Sequence, residues 1–254
     1  MMKGNFWKAV GIFLVVAATV LLWSFIDLLP VIGDPDSAPN THISRVFIEK
    51  GPEQTNSPNL VTGVLADYRG LDTMLETTVL YLASITVTLI MTRDKEKSME
   101  RTSFERIREF GITEIKVIMP VIVPVLLLYA LYVLVHGEVS LGGGFQAGAL
   151  LALAYILYSL TEEEGKERLR ISHYGFISMG AGGLLIYFMT GLIPVFFGGN
   201  FLEYGKLPIP FVHEAERHSI GILFIEIGVT LTVAASIIMI LEAILERKTI
   251  DDRA

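Results

Sequence analysis

Six apolar runs, at 7–26, 71–91, 115–135, 142–160, 174–197 and 219–244, constrain this chain more than any other feature. Each approaches the roughly 20 residues that a helix rising about 1.5 Å per residue needs to cross a hydrocarbon core. Inside lipid the backbone must satisfy its own hydrogen bonds, so runs of this kind are expected to be helices. The expected fold is all-α, a polytopic membrane protein with about six transmembrane helices. Composition agrees, since 52% of the residues are hydrophobic and the charged 19% collect between the runs. The first run opens on Lys3 and Lys8 but lacks a small-x-small cleavage pattern, because Trp23-Ser-Phe-Ile-Asp-Leu-Leu-Pro30 follows it. A retained anchor is expected rather than a cleaved signal.

The formal charge of −7 says less than the placement of the 20 Lys and Arg residues. Most fall in 1–8, 92–116, 161–173 and 245–254, leaving Arg45, Lys50, Arg69, Lys206 and Arg217 elsewhere. The positive-inside rule then puts both termini in the cytoplasm. Cysteine is absent, which excludes thiolate metal sites, cysteine-bound clusters and disulfides. No Gly-Lys-Ser/Thr phosphate loop, nucleophile–base set or basic aromatic surface is present. No cofactor, catalytic residue or nucleic-acid partner is therefore expected. His213-Glu-Ala-Glu-Arg-His218 lacks the His-Glu-x-x-His order of zinc hydrolases and reads as a polar lead-in to the last span, not a metal site.

The chain divides into blocks. Residues 1–95 hold two spans and a long outer connection, 27–66, whose Pro, Asn, Asp, Ser and Gly content predicts irregular structure. Within it, residues 41–48 suit a short extended piece. A charged cytoplasmic linker, 96–110, is expected to be helical and solvated. Residues 111–254 hold four spans, the first kinked or interrupted at Pro120 and Pro124.

Charged groups within spans cost about 2.5–3.5 kcal/mol each on insertion scales, so each requires an explanation. Asp72 and Glu76 share one helix face, with Thr77 beside them, and Glu226 lies seven residues after Ser219. Gln146 follows Gly142, Gly143 and Gly144, which open a span just after His136 and Glu138. On the expected topology these groups occupy the outer half of the membrane. The inner half offers only Lys8, Lys116 and Glu242 near the cytoplasmic ends, where long side chains snorkel. Such a chain can collect cations from outside but offers no continuous route across, as expected of one part of a larger assembly. Each group also has a structural alternative: Asp72 as a first-turn carboxylate, Glu76 paired with Arg69, His136 at the interface, and Gly142, Gly143, Gly144 and Gly148 as packing devices.

Gly-Gly-Gly-Phe-Gln-Ala-Gly, preceded by His136, resembles the signature of the small MnhB/MrpB-type component of Mrp-type multisubunit sodium/proton antiporters. Matching components of membrane-bound hydrogenases and sulfur-reducing respiratory complexes share it. Members usually read Gly-His-x-x-Pro-Gly-Gly-Gly-Phe; here Glu138 and Leu141 replace the histidine and proline. The run Asp67-Tyr-Arg-Gly-Leu-Asp-Thr-Met-Leu-Glu is similar to the C-terminal part of the large component of the same antiporters, with Leu75 where glycine is usual. The stretch from Ser219 through Glu226 to Val233 resembles the last helix of the MnhB/MrpB-type component.

The resemblance implies a non-catalytic subunit in a prokaryotic plasma membrane, handling Na⁺ or H⁺ with other membrane subunits and lipid as partners. Sodium would favour oxygen ligands such as Asp72, Glu76 and Thr77, whereas protons need only Glu76, Glu226, His136 and water. The alternatives are a purely structural subunit or a small autonomous transporter. The latter would need a midplane site and an inverted repeat, neither of which is visible.

Overall fold

The computed structural model describes residues 2–29, 31–37, 39–92, 113–161 and 171–251. The expected charged linker at 96–110 lies outside them. All regular structure among the described residues is helical. The long helices are α1 (Met2–Ser24), α2 (Ser44–Thr55), α3 (Gly70–Thr92), α4 (Thr113–Val135), α5 (Gly144–Thr161), α6 (His173–Phe196) and α7 (Glu214–Asp251). Five described segments are long and apolar enough to cross a membrane: Lys8–Leu28, Gly70–Met91, Ile118–Val135, His173–Phe196 and Glu214–Ile244. The remaining expected span, 142–160, corresponds to a shorter apolar helical segment, Gly144–Ser159. It coincides with the glycine-initiated helix, whose preceding glycines form a turn instead of lengthening it.

The chain forms two compact units, Met1–Glu49 and Lys50–Ala254. In the first, α1 ends in a 3-10 turn, Ile26–Leu28. Asp34 then organises a loop, its Oδ1 accepting from the Asp36 N–H at 2.9 Å and its carbonyl from Asn40 Nδ2 at 2.8 Å. The extended piece expected at 41–48 is instead helical: a π-helical turn, Pro39–Ile43, leads into α2. No strand lies among the described residues to pair an extended backbone, whereas a helix satisfies its own donors and acceptors. Arg45 and Glu49, four apart, meet at 3.9 Å on its exposed face, a small contribution in water.

In the second unit α7 is the central element. Of its apolar window 67% is buried, against 33% for α6, 22% for α3 and 11% for α4. Its 38 residues extend roughly 57 Å, beyond the ~30 Å of a hydrocarbon core. Small residues set how closely its neighbours approach. A Cβ on Gly228 would stand 2.6 Å from the Gly183 carbonyl, so α6 and α7 touch backbone to backbone. On the α5 side, a Cβ on Gly148 would lie 2.8 Å from Val233 Cβ. On α6, Gly180 admits the Tyr81 ring of α3, whose hydroxyl donates to the Ile177 carbonyl at 2.7 Å. Gly182, also on α6, has open space around it.

The apolar core surrounds α7 in two clusters, one about Tyr187, Tyr204, Ile222, Ile225 and Val229, the other about Ala152, Phe176, Ile238 and Met239. Helix α4 runs unbroken through Pro120 and Pro124. Each proline leaves the carbonyl four residues earlier without its intrahelical donor, yet the helix is not interrupted.

Candidate functional site

The sequence Pro58-Asn-Leu starts a short helical turn, Leu60–Thr62, because Asn59 Oδ1 accepts from the Val61 N–H as an N-cap. The turn widens into a π-helical stretch, Gly63–Tyr68, that delivers the chain to α3. This stretch, the first turns of α3, the start of α5 and residues 225–229 of α7 enclose a cavity of ≈ 210 Å³. Its polar lining comes from Thr62, Thr73, Glu76, Gln146, Glu226 and the backbone of Gly142, Gly143 and Gly144; Val61, Leu65, Ala66, Phe145, Ile225 and Val229 close the rest.

Glu226 is the most constrained group in that wall. Its Oε2 accepts from the N–H of Gly144, the first residue of α5. A carboxylate facing a helix N-terminus meets unpaired N–H donors and the positive end of the helix dipole. The glycines make this approach possible. Gly143 has φ +128°, and a Cβ there would stand 3.2 Å from both carboxylate oxygens. A Cβ on Gly144 would come within 2.5 Å of the Glu226 carbonyl. Thr230 Oγ1 closes the junction, donating to the Glu226 carbonyl at 2.7 Å and approaching that of Gly144 at 3.3 Å.

The remaining sequence-derived positions scatter around the cavity. Asp72 does not line it; its Oδ2 pairs with Arg69 Nε at 2.7 Å on an exposed surface, so Arg69 pairs with Asp72 and not with Glu76. Thr77 is fully buried and donates to the Thr73 carbonyl at 2.7 Å. His136 is exposed just beyond α4, its ring 4.6 Å from that of Tyr132. Glu138 is half-buried in the turn between α4 and α5. Burial pushes its carboxyl above the usual range, and a hydrogen bond with the Ser219 side chain pulls it partly back. Gly148 packs against α7 outside the cavity lining.

One pair escapes sequence reasoning. Asp67 Oδ2 lies 2.6 Å from His218 Nδ1, joining the π-helical stretch to the start of α7. Both side chains are largely buried, and the Tyr204 ring stands edge-on to the histidine. Tyr204 is fully buried and donates to the Ala66 carbonyl at 2.6 Å. Burial holds its phenol far above the usual range, with Tyr187, Asp67 and Glu226 adding to the effect. Tyr187 donates likewise to the Gly70 carbonyl at 2.6 Å. Asp67 and His218 each lie in a polar run visible in the sequence, but the two are 151 positions apart and nothing local marks them as partners. Thr62 is also absent from the sequence reading, because an ordinary threonine carries no signal of lining a cavity.

Residues 114–239 match the family model described as a domain related to the MnhB subunit of Na⁺/H⁺ antiporter, and residues 12–106 match that for MbhE, a subunit of MBH. The antiporter subunit mnhB2 of Staphylococcus haemolyticus is 33% identical over 132 residues, covering 51% of this chain and 92% of that protein. A Rhizobium meliloti protein named for the A/B component of a K(+)/H(+) antiporter is 29% identical over 192 residues, which is 66% of this chain but only 19% of the relative. Among solved structures, a chain of the membrane-bound sulfane sulfur reductase, an archaeal respiratory membrane complex, shares the fold. It has a TM-score of 0.63 and 23% identity, over 96% of this chain and 99% of that one. A chain of the Mrp complex from Dietzia sp. DQ12-45-1b matches with a TM-score of 0.61 and 24% identity, over 96% of this chain and 26% of that one. Sequence likeness across nearly the whole length of a small antiporter subunit, joined to the glycine turn and the helices packed on it, makes this multi-pass membrane chain a member of the MnhB family of Na⁺/H⁺ antiporter subunits.

Proposed function

We propose that this chain is a non-catalytic membrane subunit of a multisubunit Na⁺/H⁺-translocating complex, and that the cavity beside Glu226 is where it handles the ion. One observation carries the reading: a titratable carboxylate, held by the α5 N-terminus, shares a small cavity with Glu76 and Gln146. Placing a charge inside a membrane span costs several kcal/mol, about 2.5–3.5 on insertion scales, and a purely apolar wall would avoid that cost. Asp72, Thr77 and His136, each engaged away from the cavity, have no part in the path proposed here.

The test is cation and proton flux in vesicles containing the assembled complex. Glu226→Gln keeps the side-chain shape but removes the titratable charge, so normal assembly with flux reduced at least about tenfold is expected. Glu76→Gln should give a milder defect. Assembly lost together with flux would favour the structural role, and normal flux in both variants would remove the cavity from the path.

A further inference from the structure

The turn that presents Gly144 to Glu226 is held by its own backbone bonds to the end of α4 and by a second, distant segment of the chain. Residues 137–140 follow the end of α4 and fold back on a segment nearly 80 positions earlier in the chain. Asn59 makes most of that attachment. Its Nδ2 donates to the Gly137 carbonyl at 2.8 Å and to the Ser140 carbonyl at 2.6 Å, and lies 3.0 Å from Thr62 Oγ1. Its own backbone N–H donates to the Glu138 carbonyl at 3.0 Å. Ser57 Oγ reaches the same Glu138 carbonyl at 3.0 Å, and Thr62 Oγ1 reaches Gly137 at 2.7 Å. Only one orientation of the amide works, because Oδ1 faces the Val61 N–H while Nδ2 faces two carbonyls.

These bonds are not interchangeable. The Gly137 carbonyl has Thr62 as a second donor, and the Glu138 carbonyl has Ser57. Ser140 lies four residues before Gly144, so of the attachments made by residues 57–62 its carbonyl is the nearest in sequence to the N–H that meets Glu226. Between them the chain has little freedom to compensate. Gly143 donates to the Val133 carbonyl at 3.3 Å, and a Cβ on Gly137 would stand 3.0 Å from Gly143 Cα. Asn59 thus fixes the middle of the turn and Val133 its end, and Gly144 follows directly on both.

We propose that Asn59 is a positioning residue for the ion site: by clamping the carbonyls of Gly137 and Ser140, it sets the Gly144 N–H against the Glu226 carboxylate. This rests on the reading of the cavity given above. Asn59 touches no ion and acts only through the turn. The other titratable groups acting on or lining the space around Glu226 are Glu76 of α3, Glu138 of the turn, Tyr187 of α6 and Tyr204. Glu138 belongs to the turn and shifts with it, whereas Glu76, Tyr187 and Tyr204 lie on other elements.

Asn59→Ser separates the two roles of the side chain. Serine still caps the Leu60–Thr62 turn, and the backbone N–H to Glu138 is unchanged, but neither Gly137 nor Ser140 is reached. The complex should assemble. A single cysteine at Ser140, in a chain that has no native cysteine, should react several-fold faster with a membrane-impermeant thiol reagent in this background. Losing an N–H donor disfavours a charged carboxylate, so the pH profile of flux should move upward by about half a unit or more. In the Glu226→Gln background Asn59→Ser should add nothing further.

An unshifted profile, or an equal loss of flux at every pH, would overturn the proposal. So would failure of both Asn59→Ser and Asn59→Asp to assemble, which would make the residue an element of the fold. If Glu226→Gln leaves flux unchanged, the positioning role falls, and if Glu76→Gln does so too, the cavity reading falls with it. If Glu226→Gln impairs flux while Asn59→Ser leaves the profile in place, only the positioning role falls.

Discussion

The Glu226 carboxylate accepts a hydrogen bond from the backbone N–H of Gly144, 82 positions earlier in the chain. The contact joins the first half of the central helix to the first residue of α5. It accounts for glycine at 143 and 144, although glycine loses more backbone entropy on folding than any other residue, while Gly142 is crowded instead by the Val133 carbonyl of α4. Residues with side chains would occupy the space that the carboxylate and the α7 backbone fill.

Glycine substitutions should therefore rank by position. Gly143→Ala forces a side chain onto φ +128°, and should cost about 1–3 kcal/mol as well as crowding the carboxylate. Gly144→Leu meets the Glu226 backbone, which cannot move aside, and should abolish assembly. Gly182→Ala, with open space around it, should leave assembly intact and stabilise the helix by about 0.5–1 kcal/mol. Yield of the intact complex and its thermal midpoint measure all three, and equal behaviour of Gly144→Leu and Gly182→Ala would contradict the packing argument.

Asp67 and His218 form a charged hydrogen bond with both side chains mostly out of solvent. Asp67→Ala should lower stability by about 1.5–3 kcal/mol, seen as a fall in Tm. His218→Ala should cost a similar amount. The double variant should lose less than the sum of the two, because neither partner is left buried alone. Additive losses would mean the two groups do not interact.

Glu138 titrates with a sign opposite to that of a salt-bridged acid. Burial raises its pKa in the folded protein above that of the unfolded chain. The stability it contributes is present below the unfolded value and lost as pH rises through the folded one. Glu138→Gln should match the parent near about pH 4 and have the higher Tm near about pH 8. A Tm difference independent of pH, or of the reverse sign, would refute the burial argument.

Orientation follows from the Lys and Arg distribution, which predicts both termini and the 92–114 loop in the cytoplasm. A single cysteine placed at Ser98 should resist an impermeant thiol reagent in intact cells and react after permeabilisation. Labelling from outside would invert or discard the six-span arrangement.

The class of fold and the positions of the membrane-spanning helices were legible in the sequence, because crossing a hydrocarbon core demands long apolar helical runs that few side-chain patterns can imitate. The expected spans at 71–91 and 115–135 lie within α3 and α4. The glycine run and Glu226 also stood out locally, since both are costly where they occur. Tertiary structure decided the rest. That Glu226 meets Gly144, that His218 meets Asp67, and that Asn59 holds the turn at 137–140 are relations between residues tens to more than a hundred positions apart. Helical periodicity records which face of a helix is apolar, but not which helix that face meets or at what height. Those choices arise from packing around α7, where Gly144, Gly148, Gly183 and Gly228 fix the depth of each approach. The same packing sorts the carboxylates: Glu76 borders the cavity, while Asp72, one turn earlier, is drawn outward to Arg69.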